Sequence, residues 1–149
     1  MATIFIIGIL GAFIGVIVGM FWYSDNTPMG KWHMQSLGFD TLSPEERARL
    51  RAEAKPHMWK RFSAQILLSF VTALFIGAVT SYSVQNGAPA GSVLYYVPAI
   101  WLAFVVPLIG QNILWGGPKG VLAWKRFVSD SVSNLLTYML VAFVATLFF

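Results

Sequence analysis

The sequence predicts an all-α integral membrane fold: a four-helix bundle made of two parallel-repeat hairpins, with a short cytoplasmic helical insertion. Three observations predict it. Of 149 residues, 57% are hydrophobic and only 11% are charged, where a soluble domain carries about a quarter charged residues. Four apolar stretches are each long enough to cross a hydrocarbon core of about 30 Å at a rise of roughly 1.5 Å per residue. The same four letters, Trp-Lys-Arg-Phe, open the second and the fourth stretch. A chain of this length has room for one domain, residues 1–149.

The first span runs from about Thr3 to Tyr23 without a charge. It lacks a basic leader and a small-residue cleavage site, and its apolar run is too long for a signal peptide, so it reads as a retained span. Gly11, Gly15 and Gly19 form two overlapping G-x-x-x-G motifs, with Gly8 nearby. Glycines four apart make a flat stripe on which another helix backbone can approach closely. The third or fourth span of the same chain is one candidate partner, and a second subunit is another.

The connection 24–61 is not a bare linker. Met29 to Leu37 reads as a turn or two of interfacial helix, anchored by Trp32 and stopped by Gly38. Ser43-Pro44-Glu45-Glu46 then places Ser at an N-cap, Pro at the first helical position and Glu at the third, so a short charged helix follows, ended by Pro56. The second span covers about Phe62 to Tyr82, the third Val93 to Trp115 and the fourth Phe127 to Phe149. In the third, Pro107 removes a backbone donor and displaces the carbonyl of Ala103, so a kink is expected there. Pro98 lies in the same span, and broken helices occur both at transport sites and in spans that only pack.

Charge sets the orientation. All ten basic residues lie in two connections: Lys31, Arg47, Arg49, Arg51, Lys55, Lys60 and Arg61 in 24–61, and Lys119, Lys125 and Arg126 in 116–126. The positive-inside rule makes these loops cytoplasmic and puts both termini on the other side. Aromatic anchors agree: Trp22, Tyr23, Trp32, Trp59, Trp115 and Trp124 mark the basic side, and Tyr82, Tyr95 and Tyr96 the opposite one. The net charge of +4 is accounted for by topology and anionic headgroups, with no nucleic-acid partner implied.

Self-comparison suggests a duplication. Trp59-Lys60-Arg61-Phe62 matches Trp124-Lys125-Arg126-Phe127; upstream, Gly19, Trp22 and Pro28-Met29-Gly30 parallel Gly110, Trp115 and Pro118-Lys119-Gly120. Two hairpins that start on the same side are parallel repeats about an axis along the membrane normal. Counted from the shared Phe, Gln65, Ser69 and Thr72 register with Asp130, Asn134 and Thr137. Each set is spaced i, i+4, i+7 and forms one stripe on one helix face. Polar side chains are disfavoured toward lipid, so the two stripes predict a polar seam in the cytoplasmic half, to which Gln111 and Asn112 contribute. Two readings of the seam stay open: interhelical glue at about 0.6–2 kcal/mol per hydrogen bond, or a pathway or binding site with Asp130 as its ionisable member. Arg126, at i−4, can reach Asp130 as a partner.

No catalytic constellation is legible. The only histidines, His33 and His57, fall in the first basic connection and are expected at the headgroup interface. With no cysteine and no carboxylates at ligand spacing, neither a metal site nor a cofactor is implied. Gly116-Gly117-Pro118-Lys119-Gly120 lacks the spacing of a phosphate loop and reads as a turn.

Gly19-Met20-Phe21-Trp22-Tyr23-Ser24, followed by Pro28, Gly30-Lys31-Trp32 and Leu37-Gly38, resembles the bacterial membrane family catalogued as domain of unknown function 1761. The resemblance covers nearly the full length, with the specific motif in the first 40 residues. Asp25-Asn26-Thr27 stands where members usually carry aromatic or apolar residues. It implies four spans, a bacterial inner-membrane location and no activity, so no functional residue is carried over. The chain is therefore expected to be non-enzymatic: either a homo-oligomer in the lipid bilayer that passes or binds a small solute or ion along the seam, or an accessory subunit joined to other membrane subunits through the glycine stripe.

Overall fold

The computed structural model describes residues 1–116 and 119–149, apart from the side chains of Arg51 and His57. Among the described residues every regular element is helical. Four helices are long and apolar enough to span a bilayer: Ala2–Trp22, Met58–Gln85, Ala90–Gly116 and Val121–Thr146. The Pro118 step of the internal comparison and the His57 side chain lie outside the described residues.

Helix α1 (Ala2–Trp22) runs antiparallel to α3 (Pro44–Gln85), and this is the most extensive helix pair. Glycines create the approach. A Cβ on Gly8 would meet the side chains of Leu74 and Phe70, one on Gly11 the Cβ of Ala73, and one on Gly15 the Ser69 hydroxyl. The same Gly11 and Gly15 positions also lie near Val141 and Thr137 of α6 (Val121–Thr146). The stripe is thus used inside the chain, against the second and fourth spans rather than the third. Gly19 is different: nothing lies within 4 Å of its missing Cβ.

Helix α2 (Pro28–Ser36) has the expected punctuation, with Thr27 capping it by accepting from the Gly30 N–H and Gly38 following at φ 75°. At Ser43 both halves of a capping box form: Ser43 Oγ accepts from the Glu46 N–H, and the Glu46 carboxylate accepts from the Ser43 N–H. The expectation that this helix stops at Pro56 is overturned, since α3 continues unbroken for 42 residues into the second span. Proline forfeits one hydrogen bond, here to the Ala52 carbonyl, at a cost of about 3 kcal/mol. Ala52 is an exposed residue, and the surrounding Glu, Arg, Ala, Leu and Lys are strong helix formers that offset the loss. In the third span α4 (Val93–Ile100) passes into a wide π-type turn over Trp101–Val105 and then α5 (Val106–Gly116). This turn contains Ala103, whose carbonyl Pro107 displaces, and a π-bulge absorbs a residue without ending the helix.

The core gathers around α6, which touches α1, α2, α3, α4 and α5. Ile7, Ala73, Ile76, Val93, Val97, Val141, Ala142 and Ala145 form one buried cluster. The offset that superposes the two Trp-Lys-Arg-Phe segments also superposes burial: residues 71–80 and 136–145 agree in exposure at every position but Ala73/Tyr138. Nearer the basic end the match fails. Ser129, Ser131 and Ser133 are buried, whereas Ala64, Ile66 and Leu68 at the same offset are exposed. There α6 is covered by α2, α5 and the end of α1, and α3 is not.

Candidate functional site

Two consecutive aromatic residues close α1 onto α6. Trp22 Nε1 donates to Ser129 Oγ at 3.0 Å, and Tyr23 Oη donates to Asp130 Oδ1 at 2.8 Å. Arg126 Nε, one helical turn earlier, lies 3.5 Å from Asp130 Oδ2, with the two side chains 30% and 23% exposed. Asp130 is an ionisable group in the first turns of a span, and both of its oxygens are engaged. Asn134 Nδ2 donates to the Asp130 backbone carbonyl at 2.7 Å, and Thr137 Oγ1 does the same to Ser133 at 2.9 Å. These i−4 bonds satisfy the polar groups inside the helix itself.

A cleft of about 320 Å³ opens beside this carboxylate, lined by Tyr23, His33, Asn112, Arg126, Asp130 and Asn134, with Ile109 and Ile113 as its apolar wall. Its volume is at the lower end of the range of about 300–1,000 Å³ for small-molecule sites. Helix α2 closes one side. The His33 ring packs against Tyr23 with centroids 4.9 Å apart, and its Nδ1 is buried without a hydrogen-bond partner. Burial holds His33 below its ordinary pKa of 6.5, the nearby Asp130 opposes that shift, and Arg126 adds to it. A second hollow of about 350 Å³, between α3, the third span and α6, is almost wholly apolar and carries no charged residue.

The residues of the expected polar seam are divided. Asn112, Asp130 and Asn134 meet in the cleft. Ser69 and Thr137 instead flank Gly15, Thr72 lines the apolar hollow, and Gln65 and Gln111 are exposed. Gln65 donates to Ser69 of its own helix, at 3.3 Å. The aromatic anchors divide too. Trp59, Trp115 and Trp124 are 74%, 89% and 69% exposed, as lipid-facing anchors should be, while Trp22 and Tyr23 turn inward onto α6. His33, expected at the headgroup interface, sits half-buried in the cleft. Its role was signalled only weakly, by its place next to Trp32 on a short helix. Among the described residues no three His, Asp or Glu side chains gather to hold a metal ion.

The description of the protein family of unknown function DUF1761 matches residues 6–146, nearly the whole chain. The chain belongs to this family. No curated protein and no solved structure matches it.

The segments by which the chain resembles DUF1761 acquire physical roles. Gly30 has no room for a Cβ, which would fall onto the Ser24 backbone carbonyl. The single O–H of Thr27 is shared between the carbonyls of Trp22 and Ser24, 2.8 and 2.9 Å away, while Oγ1 accepts from the Gly30 N–H, so the turn from α1 to α2 is stitched by one hydroxyl. Trp32 then sits beneath Lys125, its ring centroid 5.5 Å from Nζ, a cation–π contact that ties α2 to the start of α6. In this DUF1761 chain, Tyr23 of the first segment lines the cleft, and the turn at Thr27 and Gly30 sets α2 so that His33, next to Trp32, lines it too.

Proposed function

We propose that this DUF1761 protein is a membrane-embedded binding protein for a small polar solute or ion, with the cleft around Asp130 as its site. The observation that carries the reading is an intramembrane carboxylate whose surroundings hold a cavity rather than close over it. Ionisable groups inside membrane segments are costly and mark functional sites by default. The division of the polar seam favours binding over passage, because Ser69 and Thr137 are taken up in helix packing around Gly15 and Thr72 lines the separate apolar hollow.

The proposal places the chain in a bacterial cytoplasmic membrane as a four-helix bundle of two like hairpins, basic loops inside and both termini outside. The matched burial of 71–80 and 136–145 supports the hairpin duplication. A homo-oligomer is a separate proposal, measured by native mass spectrometry from mild detergent. Of the Gly11-Gly15-Gly19 stripe that the accessory-subunit reading takes as its docking face, Gly11 and Gly15 pack inside the chain and only Gly19 is left open.

The chain contains no cysteine, so single-cysteine variants can be used directly. Asn134→Cys should react with a membrane-impermeant thiol reagent added from the basic side. Ala142→Cys, in the fully buried core, should not. An Asn134→Cys protein as inert as Ala142→Cys would mean a dry cleft and would end the proposal.

A further inference from the structure

We infer that the ligand of the cleft is a small organic oxyanion, a carboxylate or phosphate monoester, gripped by the guanidinium of Arg126. This inference rests on the cleft being a binding site and names the chemistry that fits it. The argument is a count of what the lining groups have left to offer. Asp130 offers little: Oδ1 accepts from Tyr23 and Oδ2 faces Arg126 Nε. Arg126 offers much. A guanidinium carries five N–H donors in a fixed fork, and here only Nε is engaged within the chain among the described residues. Held at Nε by Asp130, the two terminal nitrogens remain free, and their spacing suits two oxygens of one carboxylate or phosphate.

The neighbours point the same way. The Asn112 amide makes no hydrogen bond within the chain among the described residues and lines the same space. His33 Nδ1 is buried and unpartnered, a group that must gain a partner or remain a cost to folding. Asn134 has committed one of its two N–H donors to a backbone carbonyl and keeps the other N–H and its Oδ1. The free capacity is thus mainly donating, beside a fixed positive charge. A metal or ammonium ion would face that charge with no free carboxylate to receive it. Ile109 and Ile113 provide an apolar wall for the ligand's carbon skeleton. The anion has two conceivable sources, a solute from water or the headgroup of an anionic lipid, and the shared chemistry is the oxyanion on Arg126.

The test uses the full chain in nanodiscs. In phosphatidylcholine discs, sodium acetate or sodium phosphate is titrated at constant ionic strength against chloride, and the unfolding temperature is recorded. A saturable rise with acetate or phosphate, absent with chloride, supports a soluble ligand. A rise seen only on exchanging phosphatidylcholine for phosphatidylglycerol, with no further response to soluble anions, supports a headgroup. Either response should weaken by about tenfold or more in apparent affinity in Arg126→Lys, which keeps the charge and loses the fork. It should also vanish in Asn112→Asp, which leaves the Arg126–Asp130 pair untouched and adds a repelling charge. No response in either lipid, or an equal response in Asn112→Asp, would overturn the inference. If Asn134→Cys is reactive but every anion is silent, only the ligand class fails; an inert Asn134→Cys removes the binding site as well.

Discussion

Replacing Gly11 by alanine adds a single carbon at the place where α1 and α3 come closest. That carbon would overlap the Cβ of Ala73 and lie 3.3 and 3.4 Å from the two Val141 methyls. Ala73 is fully buried and its Cβ is fixed by the backbone, so no rotamer change relieves the overlap. Ordinary carbon contacts are about 3.5–4.0 Å, and the helices must separate by on the order of 1 Å to restore one. A gap of about 0.5–1 Å forfeits a quarter to a half of each dispersion contact along the seam. Overpacking of this kind costs about 1–3 kcal/mol. For a chain of this size that is a fall in unfolding temperature on the order of 5 °C. The control is Gly19→Ala, two turns further along the same motif, where nothing lies within 4 Å. There the added methyl meets no clash and improves helix propensity by up to about 1 kcal/mol, so stability should hold or rise. Thermal unfolding of both variants in one mild detergent, followed by circular dichroism, makes the comparison. If Gly11→Ala unfolds no earlier than the parent, or Gly19→Ala falls as far as Gly11→Ala, the close α1–α3 packing described here is wrong.

Gly30→Ala drives a Cβ into the Ser24 carbonyl and should lift α2 off α6, which limited proteolysis would read as faster cleavage within residues 24–43. Tyr23→Phe removes the phenol donor from Asp130. A hydrogen bond to a charged group contributes about 1.5–3 kcal/mol, and partial exposure of Asp130 places the expected loss at about 1–2 kcal/mol, measurable by the same unfolding assay. His33 supplies a pH dependence. Its folded-state pKa lies below its unfolded value of 6.5, so the unfolded chain binds the proton more readily. Stability from this group is therefore present above pH 6.5 and is lost as pH falls through the lowered value. His33→Gln should flatten that slope in a series of melts between pH 7.5 and 5; an unchanged slope would show that His33 does not titrate there.

Features set by neighbours in sequence were legible, and features set by which helices meet were not. The capping box at Ser43 and Glu46, the Gly38 stop and the Arg126–Asp130 pair all lie within four residues, where helix geometry alone decides the contact. The four spans followed from hydropathy and length. Tyr23 and Asp130, by contrast, are separated by 107 positions and meet only because α1 and α6 are adjacent. Hydropathy could not supply that adjacency, so Tyr23 and Trp22 read as interface anchors. Gln65 shares its register with Asp130, but the two helices that carry Trp-Lys-Arg-Phe keep different company at that level, and α3 stays exposed where α6 is covered. Pro56 misled for another reason: proline terminates helices often enough to suggest an end, but at an exposed position its one lost bond is offset by strongly helical neighbours.

The uninterrupted α3 has a mechanical meaning. Fourteen of its residues precede Met58, where the apolar span begins, and at about 1.5 Å each they extend roughly 21 Å past it. Such a rod is a lever. Its capped tip at Ser43 lies well beyond the apolar stretch, and its other arm packs against α1 and α6. The weak point is Pro56, where the ladder lacks one rung at the Ala52 carbonyl. A pull on the tip is either taken up as bending there or carried down the rod to Ser69 and Ala73, where α1 rests on bare glycine.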